Sequence, residues 1–307
     1  MGPPTRRGRA ALARRLSPPA GEAPAAAAGH DEWLALAAGP ELDAIEAACA
    51  DGAPQHLARF RALDPDVWAL LLAQEHARWP NIRALLPRVP DPALQAAWNG
   101  VSGASLAAQG AAFYRRLCAR YAQHGAVPLE PARVLDFGCG WGRLTRMLAR
   151  DVAPGRLFGC DPAEAILDVC RADGVPAQLA RSEFLPDRVP FDGPFDLAFA
   201  FSVFTHLSEA AHARCLDALH AALVPGGILV VTVRPPSYLP DAGAPYTFVP
   251  HAADPAHPQY GGGEMTYGET VVTLDYVRER WSDRFALLEV DILLADLFQV
   301  VLTLRRV

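Results

Sequence analysis

The chain of 307 residues is 51% hydrophobic and 20% charged, a composition that excludes an intrinsically disordered protein and suffices for one large core or two modest ones. Its formal net charge of -6 provides none of the broad attraction that basic proteins exert on phosphate backbones or anionic lipids, so we expect neither a nucleic-acid nor a membrane partner. The six cysteines include no Cys-x-x-Cys pair, which favours a reducing, cytoplasmic location. All basic residues are arginine, a bias that fits a bacterial source with GC-rich genes.

Two regions precede the part of the chain in which we expect a sheet. Residues 1–29 consist almost entirely of Ala, Pro, Gly and Arg, too few bulky apolar groups to offset the entropy of ordering, so a disordered tail is predicted. Residues 30–103 carry apolar side chains at helical spacing, which predicts a helical N-terminal region of four or five short helices. Proline cannot continue a helix but can open the next one, so breaks are expected at Gly39-Pro40, Asp51-Gly52, Asp64-Pro65, Trp79-Pro80 and Asp91-Pro92.

Residues 104–307 are predicted to form a second folded unit. A long helix over 106–123 is followed by strands that alternate with helices, the pattern of a parallel sheet. The predicted strands lie near 133–137, 156–160, 176–179, 195–201, 227–233, 285–293 and 298–305. The predicted helices lie near 143–150, 162–172, 208–222 and 274–281. His212 and His220 are expected on a solvated face of the third of these helices.

The segment 136–142 reads Asp-Phe-Gly-Cys-Gly-Trp-Gly and joins the first predicted strand to its helix. A nucleotide-like ligand needs such a turn, because glycines let the backbone approach the ligand and the helix start presents free amide donors. The dinucleotide fingerprint Gly-x-Gly-x-x-Gly is the obvious competitor, but it requires Gly or Ala where this chain has Arg143. The pattern Asp-x-Gly-x-Gly-x-Gly, by contrast, is complete.

A second anchor follows the next strand, where Asp161 comes after the apolar segment 157–160. A carboxylate at such a strand end can accept hydrogen bonds from both hydroxyls of a ribose. The alternative is a structural role, since the sequence Asp-Pro-Ala-Glu from Asp161 is also a good helix start with Asp161 as its cap. The two roles are compatible, and both stay open.

The segments 134–142 and 158–161 together resemble the class I methyltransferases. The resemblance covers roughly residues 130–307: segment 195–199 resembles that family's fourth strand, 202–207 the loop after it and 223–227 the turn into its fifth strand. It implies an α/β fold with a Rossmann-like, seven-stranded, mostly parallel sheet and flanking helices. It also implies S-adenosylmethionine as cofactor and S-adenosylhomocysteine as product.

The resemblance further implies which residues hold that cofactor. Asp136 and the glycines would hold the methionine part, Asp161 the ribose, and residues near Ser182 or Glu183 the adenine. The full set of expected cofactor-binding residues is Asp136, Phe137, Gly138, Cys139, Gly140, Gly142, Asp161, Pro162, Ser182, Glu183, Phe201 and Ser202.

Methyl transfer from a sulfonium is an in-line displacement on an activated carbon, so positioning the acceptor about 3 Å away supplies most of the rate and a base is optional. His206, in the loop after the fourth strand, is the candidate base; the alternative is that it only hydrogen-bonds within that loop and orders the helix beginning near Ser208. Residues 234–271 are too long for an idle connection and are predicted to cover the substrate. Expected substrate-binding residues are Tyr238, Tyr246, His251 and Tyr267, with His257, Tyr260 and Glu264 as further polar groups and Trp98-Asn99-Gly100 as an added wall.

Two other activities are not expected. Amino-group methylation of DNA bases uses an Asn/Asp-Pro-Pro-Tyr/Phe turn after the fourth strand, where segment 201–204 reads Phe-Ser-Val-Phe instead. No metal is expected either, because His206, His212 and His220 lack the spacing of a zinc ligand set and no cysteine pair accompanies them.

The residues thus predict a disordered tail (1–29), a helical region (30–103) and a methyltransferase domain (104–307) acting on an oxygen or nitrogen of a small molecule. Specialised metabolism or sugar tailoring is the expected setting. A carbon methyltransferase, a protein side-chain methyltransferase and a non-catalytic cofactor-binding module stay open as alternatives. The acceptor and the oligomeric state also stay open, a homodimer included.

Overall fold

The computed structural model describes residues 27–49, 57–73, 77–240, 243–251, 260–261 and 264–307. The tail predicted for residues 1–29 lies outside the described residues as far as residue 26. Its last three residues are helical instead, because Ala27 and Ala28 have the highest helix propensity and begin the first helix.

The helical N-terminal region is present, and three of its helices begin at the prolines that the sequence indicated. Its elements are α1 (Ala27–Cys49), a 3-10 helix (Leu57–Ala62), α2 (Pro65–Ala73), α3 (Pro80–Leu85) and α4 (Pro92–Asn99). The long helix predicted over 106–123, at the start of the second unit, is α5 (Gly103–His124). Helix α1 is interrupted by a kink at Ala38, whose φ of -153° is not helical, next to the expected break at Gly39-Pro40. The break expected at Asp51-Gly52 lies outside the described residues.

The rest of the chain alternates between strands and helices, as predicted. The strands are β1 (Val134–Phe137), β2 (Leu157–Asp161), β3 (Gln178–Arg181), β4 (Phe195–Ala200), β5 (Leu223–Val233), β6 (Tyr246–Pro250), β7 (Tyr260–Gly261), β8 (Glu264–Met265), β9 (Gly268–Val272), β10 (Phe285–Leu293) and β11 (Asp296–Arg306). The helices are α6 (Arg143–Leu148), α7 (Glu164–Ala172), α8 (Glu209–Ala222) and α9 (Leu274–Arg280), and a 3-10 turn covers Pro236–Tyr238.

Seven of these strands form one sheet in the order β10-β11-β5-β4-β1-β2-β3. Strands β1 to β5 pair in parallel, whereas β11 runs antiparallel to both β5 and β10. This is the predicted Rossmann-like, seven-stranded and mostly parallel sheet. Strand β1 lies between β4 and β2. The strand order reverses here, because β2 and β3 follow on one side of β1 whereas β4 and β5 lie on the other. In such sheets a crevice opens at the carboxyl ends of the strands where the order reverses.

The two faces of the sheet are buried by different elements. On one face, Phe60, Trp68 and Trp79 of the helical region share a hydrophobic cluster with sheet residues such as Phe199 and Val230. The indole nitrogen of Trp68 donates to the carbonyl oxygen of Met147 at 3.0 Å. The helical region and the sheet therefore share one core.

On the opposite face, the prediction of a solvated His212 is wrong. This side chain is only 1% exposed, because strand β6 and the residues around α9 cover helix α8. Its ring packs against Phe204, Tyr246 and Trp281, with ring centroids 4.7 to 5.4 Å apart. Burial lowers the pKa of His212 to about 3, so the residue is a neutral core histidine. The imidazole of His220 on the same helix is partly buried and lies 3.3 Å from the carbonyl oxygen of Val307.

Candidate active site

A cavity lies at the carboxyl ends of β1, β2, β3 and β4, the edge of the sheet where the crevice opens. Ten of the expected cofactor-binding residues line it: Asp136, Phe137, Gly138, Cys139, Gly140, Asp161, Pro162, Ser182, Glu183 and Ser202. Gly142 and Phe201 do not line it: Gly142 caps helix α6, and the ring of Phe201 packs against Phe113 and the guanidinium of Arg143. Residues far apart in the sequence thus converge on one place.

The glycine turn adopts a backbone that other residues rarely reach. Gly138, Gly140 and Gly142 have φ values of 75°, 52° and 78°, all in the left-handed region. The amides of Gly138 and Cys139 both donate to the carbonyl oxygen of Cys160, at 2.8 and 2.9 Å, which fixes the turn against β2. A Cβ at position 138 would lie 2.4 Å from a methyl carbon of Val203, so the loop after β4 packs directly on this bare backbone.

Asp161 ends β2 and points its carboxylate at the glycine turn. One carboxylate oxygen accepts from the Gly140 amide at 3.0 Å and the other from the Ala163 amide at 2.9 Å. Helix α7 begins only at Glu164, with Ala163 at the cap position, so the alternative of Asp161 as helix cap is wrong. The carboxylate connects the neighbouring glycine turn to the segment that leads into α7, because β1 and β2 are adjacent strands whose ends meet at the cavity.

Asp136 is the most deeply buried acid of the cavity, with 2% of its surface exposed. The hydroxyl of Thr145 donates to its carboxyl at 2.5 Å. Burial raises the pKa of Asp136 to about 7, and the nearby carboxylate of Asp161 adds to this effect, while the Thr145 bond opposes it. The carboxyl therefore titrates near neutral pH, and a cation in the cavity would favour its ionised form.

The helical region contributes a wall that the sequence indicated only through Trp98-Asn99-Gly100. Trp98 and Asn99, at the end of α4, both line the cavity. The side-chain oxygen of Asn99 accepts from the indole nitrogen of Trp141 at 2.8 Å, so α4 is tied to the glycine turn itself. Gly100 follows in the left-handed conformation and ends the helix.

Sequence reasoning missed further lining residues, including Trp141, Arg143, Leu144, Ala163, Phe184, Val203, Leu207 and Cys215. Arg143 is held by the carbonyl of Leu106 and the side chain of Gln109, both on α5, at 3.2 and 2.6 Å. Its position directly after the glycine motif was the one available signal. Phe184 directly follows Ser182 and Glu183, so the expected adenine-binding segment after β3 was one residue too short.

Ser202, just beyond β4, has an unusual backbone with a φ of 61°. Its amide donates to the Thr232 hydroxyl at 2.7 Å, and its own hydroxyl accepts from the side-chain amide of Gln299 at 3.1 Å. A non-glycine residue in this region costs roughly 1–3 kcal/mol and is often found at functional sites. Neighbouring strands thus hold Ser202 in a strained position at the cavity.

His206, the candidate base, lies beside the cavity without lining it. Its Nδ1 is 2.7 Å from the carbonyl oxygen of Gly268, so Nδ1 carries the proton and donates. Its Nε2 faces the guanidinium of Arg234 at 3.4 Å. The ring stacks on Tyr267 with centroids 4.9 Å apart. These side-chain contacts are with Gly268 and Arg234, outside the loop within which the alternative placed them. A catalytic role for His206 stays a prediction.

Of the four expected substrate-binding residues, only Tyr267 lines the cavity. Burial raises the pKa of Tyr267 to about 12, so its phenol stays protonated at neutral pH. Tyr246 instead donates to the Leu207 carbonyl at 2.9 Å, His251 contacts Glu269 at 2.9 Å, and Tyr238 packs under Arg234. The expected lid residue His257 and the side chains of Tyr260 and Glu264 lie outside the described residues.

The described residues contain neither a cluster of metal ligands nor a helix able to cross a membrane. No three or more of their His, Cys, Asp and Glu side chains are grouped as a metal ion would require. No helix within the described ranges has the length and apolar character needed to cross a bilayer.

Residues 134–227 match the model of a family described as "Methyltransferase domain". Among curated relatives, a segment of 106 residues is 35% identical to trans-aconitate 2-methyltransferase of Variovorax paradoxus, and covers 34% of this chain and 40% of that protein. A segment of 120 residues is 36% identical to demethylmenaquinone methyltransferase of Thermus thermophilus, and covers 36% of this chain and 51% of that protein. The matches thus span about half or less of these relatives.

Solved structures are similar at low identity. An S-adenosylmethionine dependent methyltransferase from Mesorhizobium loti aligns with 65% of this chain and 100% of its own, at 21% identity and a TM-score of 0.46. Magnesium protoporphyrin IX methyltransferase from Synechocystis PCC 6803 with bound SAH aligns with 66% of this chain and 86% of its own, at 18% identity and a TM-score of 0.45. Scores of this size say nothing about substrate.

Proposed function

Because the chain carries a methyltransferase domain on a class I sheet, we propose that it transfers a methyl group from S-adenosylmethionine to an oxygen or nitrogen of a small molecule. One observation carries the proposal. The turn with three left-handed glycines and the carboxylate of Asp161 meet at a single cavity, joined by the hydrogen bond from the Gly140 amide.

The residues of the cavity fit a sulfonium-bearing nucleoside. Gly140 carries no side chain, and only the Trp98 ring lies within 4 Å of where a Cβ would stand, so its backbone is open to the methionine part; Gly138 has no side chain because Val203 packs against it. Asp161 stands at the strand end from which a carboxylate reaches ribose hydroxyls. Ser182, Glu183 and Phe184 line the side next to β3, where the adenine would lie.

The cofactor supplies an electrophilic methyl group on sulfur, so the chain has mainly to hold the acceptor in line and exclude water. Tyr267 and Ser202 line the cavity with hydroxyl groups. A protonated Tyr267 phenol can donate a hydrogen bond to the acceptor and orient it. His206 supports this phenol by stacking, and its engaged Nε2 would have to leave Arg234 to accept a proton from the acceptor.

The relatives support a small acceptor in general terms. One relative is named for trans-aconitate and another for demethylmenaquinone, two molecules of very different polarity. We therefore propose a small-molecule acceptor without a narrower class. The setting in specialised metabolism or sugar tailoring, the cytoplasmic location and the division into a tail, a helical region and a catalytic domain remain proposals from the residues.

Titration calorimetry with S-adenosylmethionine and S-adenosylhomocysteine tests the cofactor. We expect binding of both. Failure to bind either, together with uptake of a nicotinamide or flavin nucleotide, would overturn the proposal.

A second experiment separates an enzyme from a binding module. The protein is incubated with methyl-labelled S-adenosylmethionine and either the small-molecule fraction or the heat-inactivated protein fraction of a bacterial extract, and S-adenosylhomocysteine is quantified by mass spectrometry. An enzyme accumulates this product in proportion to protein, whereas a module that only binds the cofactor forms none. Methyl label recovered on protein or on carbon would instead favour the other two alternatives.

A further inference from the structure

The end of helix α4 lies directly over the glycine turn. Trp98 lines the cavity, and its ring atom Cε3 lies 3.8 Å from the place where a Cβ on Gly140 would stand. An added side chain at Gly140 would thus touch the indole. Trp98 therefore faces the same stretch of backbone against which the methionine part of the cofactor would lie.

The chain fixes α4, the helix that carries this indole, at both of its ends. Asp91 caps the helix start by accepting from the Leu94 amide at 2.9 Å. The buried side chain of Gln95 donates to the Pro90 carbonyl at 2.8 Å and accepts from the Gly103 amide at 3.0 Å. These bonds connect the segments before and after the helix, so Trp98 is positioned before any ligand binds.

The charge of the cavity fits a cationic ligand. Three acids, Asp136, Asp161 and Glu183, line it together with a single cation, Arg143, among the described residues. A cation near an aromatic ring, and desolvated, is attracted by the ring quadrupole, most strongly for tryptophan. The sulfur of S-adenosylmethionine is positively charged, whereas that of S-adenosylhomocysteine is neutral.

We propose that Trp98 recognises the positive charge on the cofactor sulfur and so favours S-adenosylmethionine over S-adenosylhomocysteine. This inference rests on the proposed function. It gives the helical region a part in the chemistry, since a residue of α4 would help the spent cofactor to leave after transfer.

Calorimetry on the full chain measures the ratio of the two dissociation constants, that of S-adenosylhomocysteine over that of S-adenosylmethionine. Replacing the aromatic ring in Trp98→Leu is expected to lower this ratio by about threefold to tenfold. Trp98→Phe, whose ring attracts a cation less strongly, is expected to have a ratio between those of the wild-type protein and Trp98→Leu. Trp33→Leu is the matched control, because Trp33 is 66% exposed on α1 and should leave the ratio unchanged.

Far-ultraviolet circular dichroism and thermal melting of each variant establish that it is folded. Equal loss of affinity for both nucleosides in Trp98→Leu would reduce Trp98 to a neutral wall and overturn the inference. An unchanged ratio with unchanged affinities would overturn it as well. Absence of binding by the wild-type protein would defeat the proposed function instead, so the two failures are distinguishable.

Discussion

Asp161 is the residue whose removal tests the cofactor site most directly. Asp161→Ala is expected to weaken S-adenosylmethionine binding by about 1–3 kcal/mol, because hydrogen bonds from two ribose hydroxyls to a charged group are lost. Asp161→Asn keeps an acceptor for the Gly140 amide and should lose less. Calorimetry measures both, with the exposed Asp187→Ala as control. Unchanged affinity in Asp161→Ala would leave Asp161 with only its role in fixing the turn.

Asp136 makes the stability of the protein depend on pH. Its pKa is about 7 in the folded chain and near 4 when unfolded, so between these values the folded state binds more protons and stability falls as pH rises. Between about pH 5 and pH 8 the free energy of unfolding falls by on the order of 2–3 kcal/mol. Below the pKa of the unfolded state this contribution to stability is fully present. Asp136→Asn, compared with wild type by urea unfolding at both pH values, should remove this decrement. An identical pH dependence in the two proteins would contradict the shift.

At the scale of single residues, sequence reasoning reached those whose role follows from local backbone geometry. Gly138 and Gly140 belong to a strand-turn-helix pattern and Asp161 ends the next strand, so their place at the cavity was predictable. The burial of Tyr246 and His212 was not predictable, since it depends on the packing of β6 against α8. Tyr267 was chosen on composition alone, and the structure separates it from its neighbours because it alone of the four lines the cavity.

The glycine turn is the element in which backbone shape and packing can be measured separately. Gly138→Ala combines a left-handed φ with a Cβ only 2.4 Å from Val203, whereas Gly155→Ala has a similar φ of 78° and nothing within 4 Å. We expect Gly155→Ala to cost about 1–2 kcal/mol of unfolding free energy and Gly138→Ala clearly more.

Adding Val203→Ala to Gly138→Ala should recover the steric part of that loss and leave the conformational part. Chemical denaturation of the three variants measures the difference. Equal losses at positions 138 and 155 would mean that the loop after β4 yields freely and does not constrain the turn.

Among the elements, those bounded by proline or glycine were the most predictable. Helices α2, α3 and α4 begin at Pro65, Pro80 and Pro92, because proline fits the first helical turn and fails within it. The contact of α4 with the glycine turn could not be predicted, since it depends on a side-chain bond between Asn99 and Trp141 across a long separation in sequence.

At the scale of the whole molecule, the shared core predicts that the helical region and the sheet unfold together. Phe60 is fully buried and stacks on Trp68 with centroids 5.0 Å apart. Phe60→Ala should lower the free energy of unfolding by about 3–5 kcal/mol in a single transition. Tryptophan fluorescence and far-ultraviolet circular dichroism, recorded on the same urea series, should give coincident curves. Two separated transitions would show that the regions are independent.

The fold class was predictable because alternating strands and helices admit few parallel arrangements. The sharing of one core was not, since the helical spacing of apolar residues in 30–103 indicates a buried face without naming what covers it. The sequence left one large core and two modest ones open, and in the structure the N-terminal helices cover one face of the sheet.

The bond from the Trp68 indole to the Met147 carbonyl limits how this protein can be recombined with its relatives. A chimera that joined a foreign N-terminus to this sheet would leave a backbone acceptor in α6 without its donor, and a bare apolar surface around it. Swapping N-terminal segments to change substrate specificity would then also require replacing the sheet and α6 residues against which those segments pack.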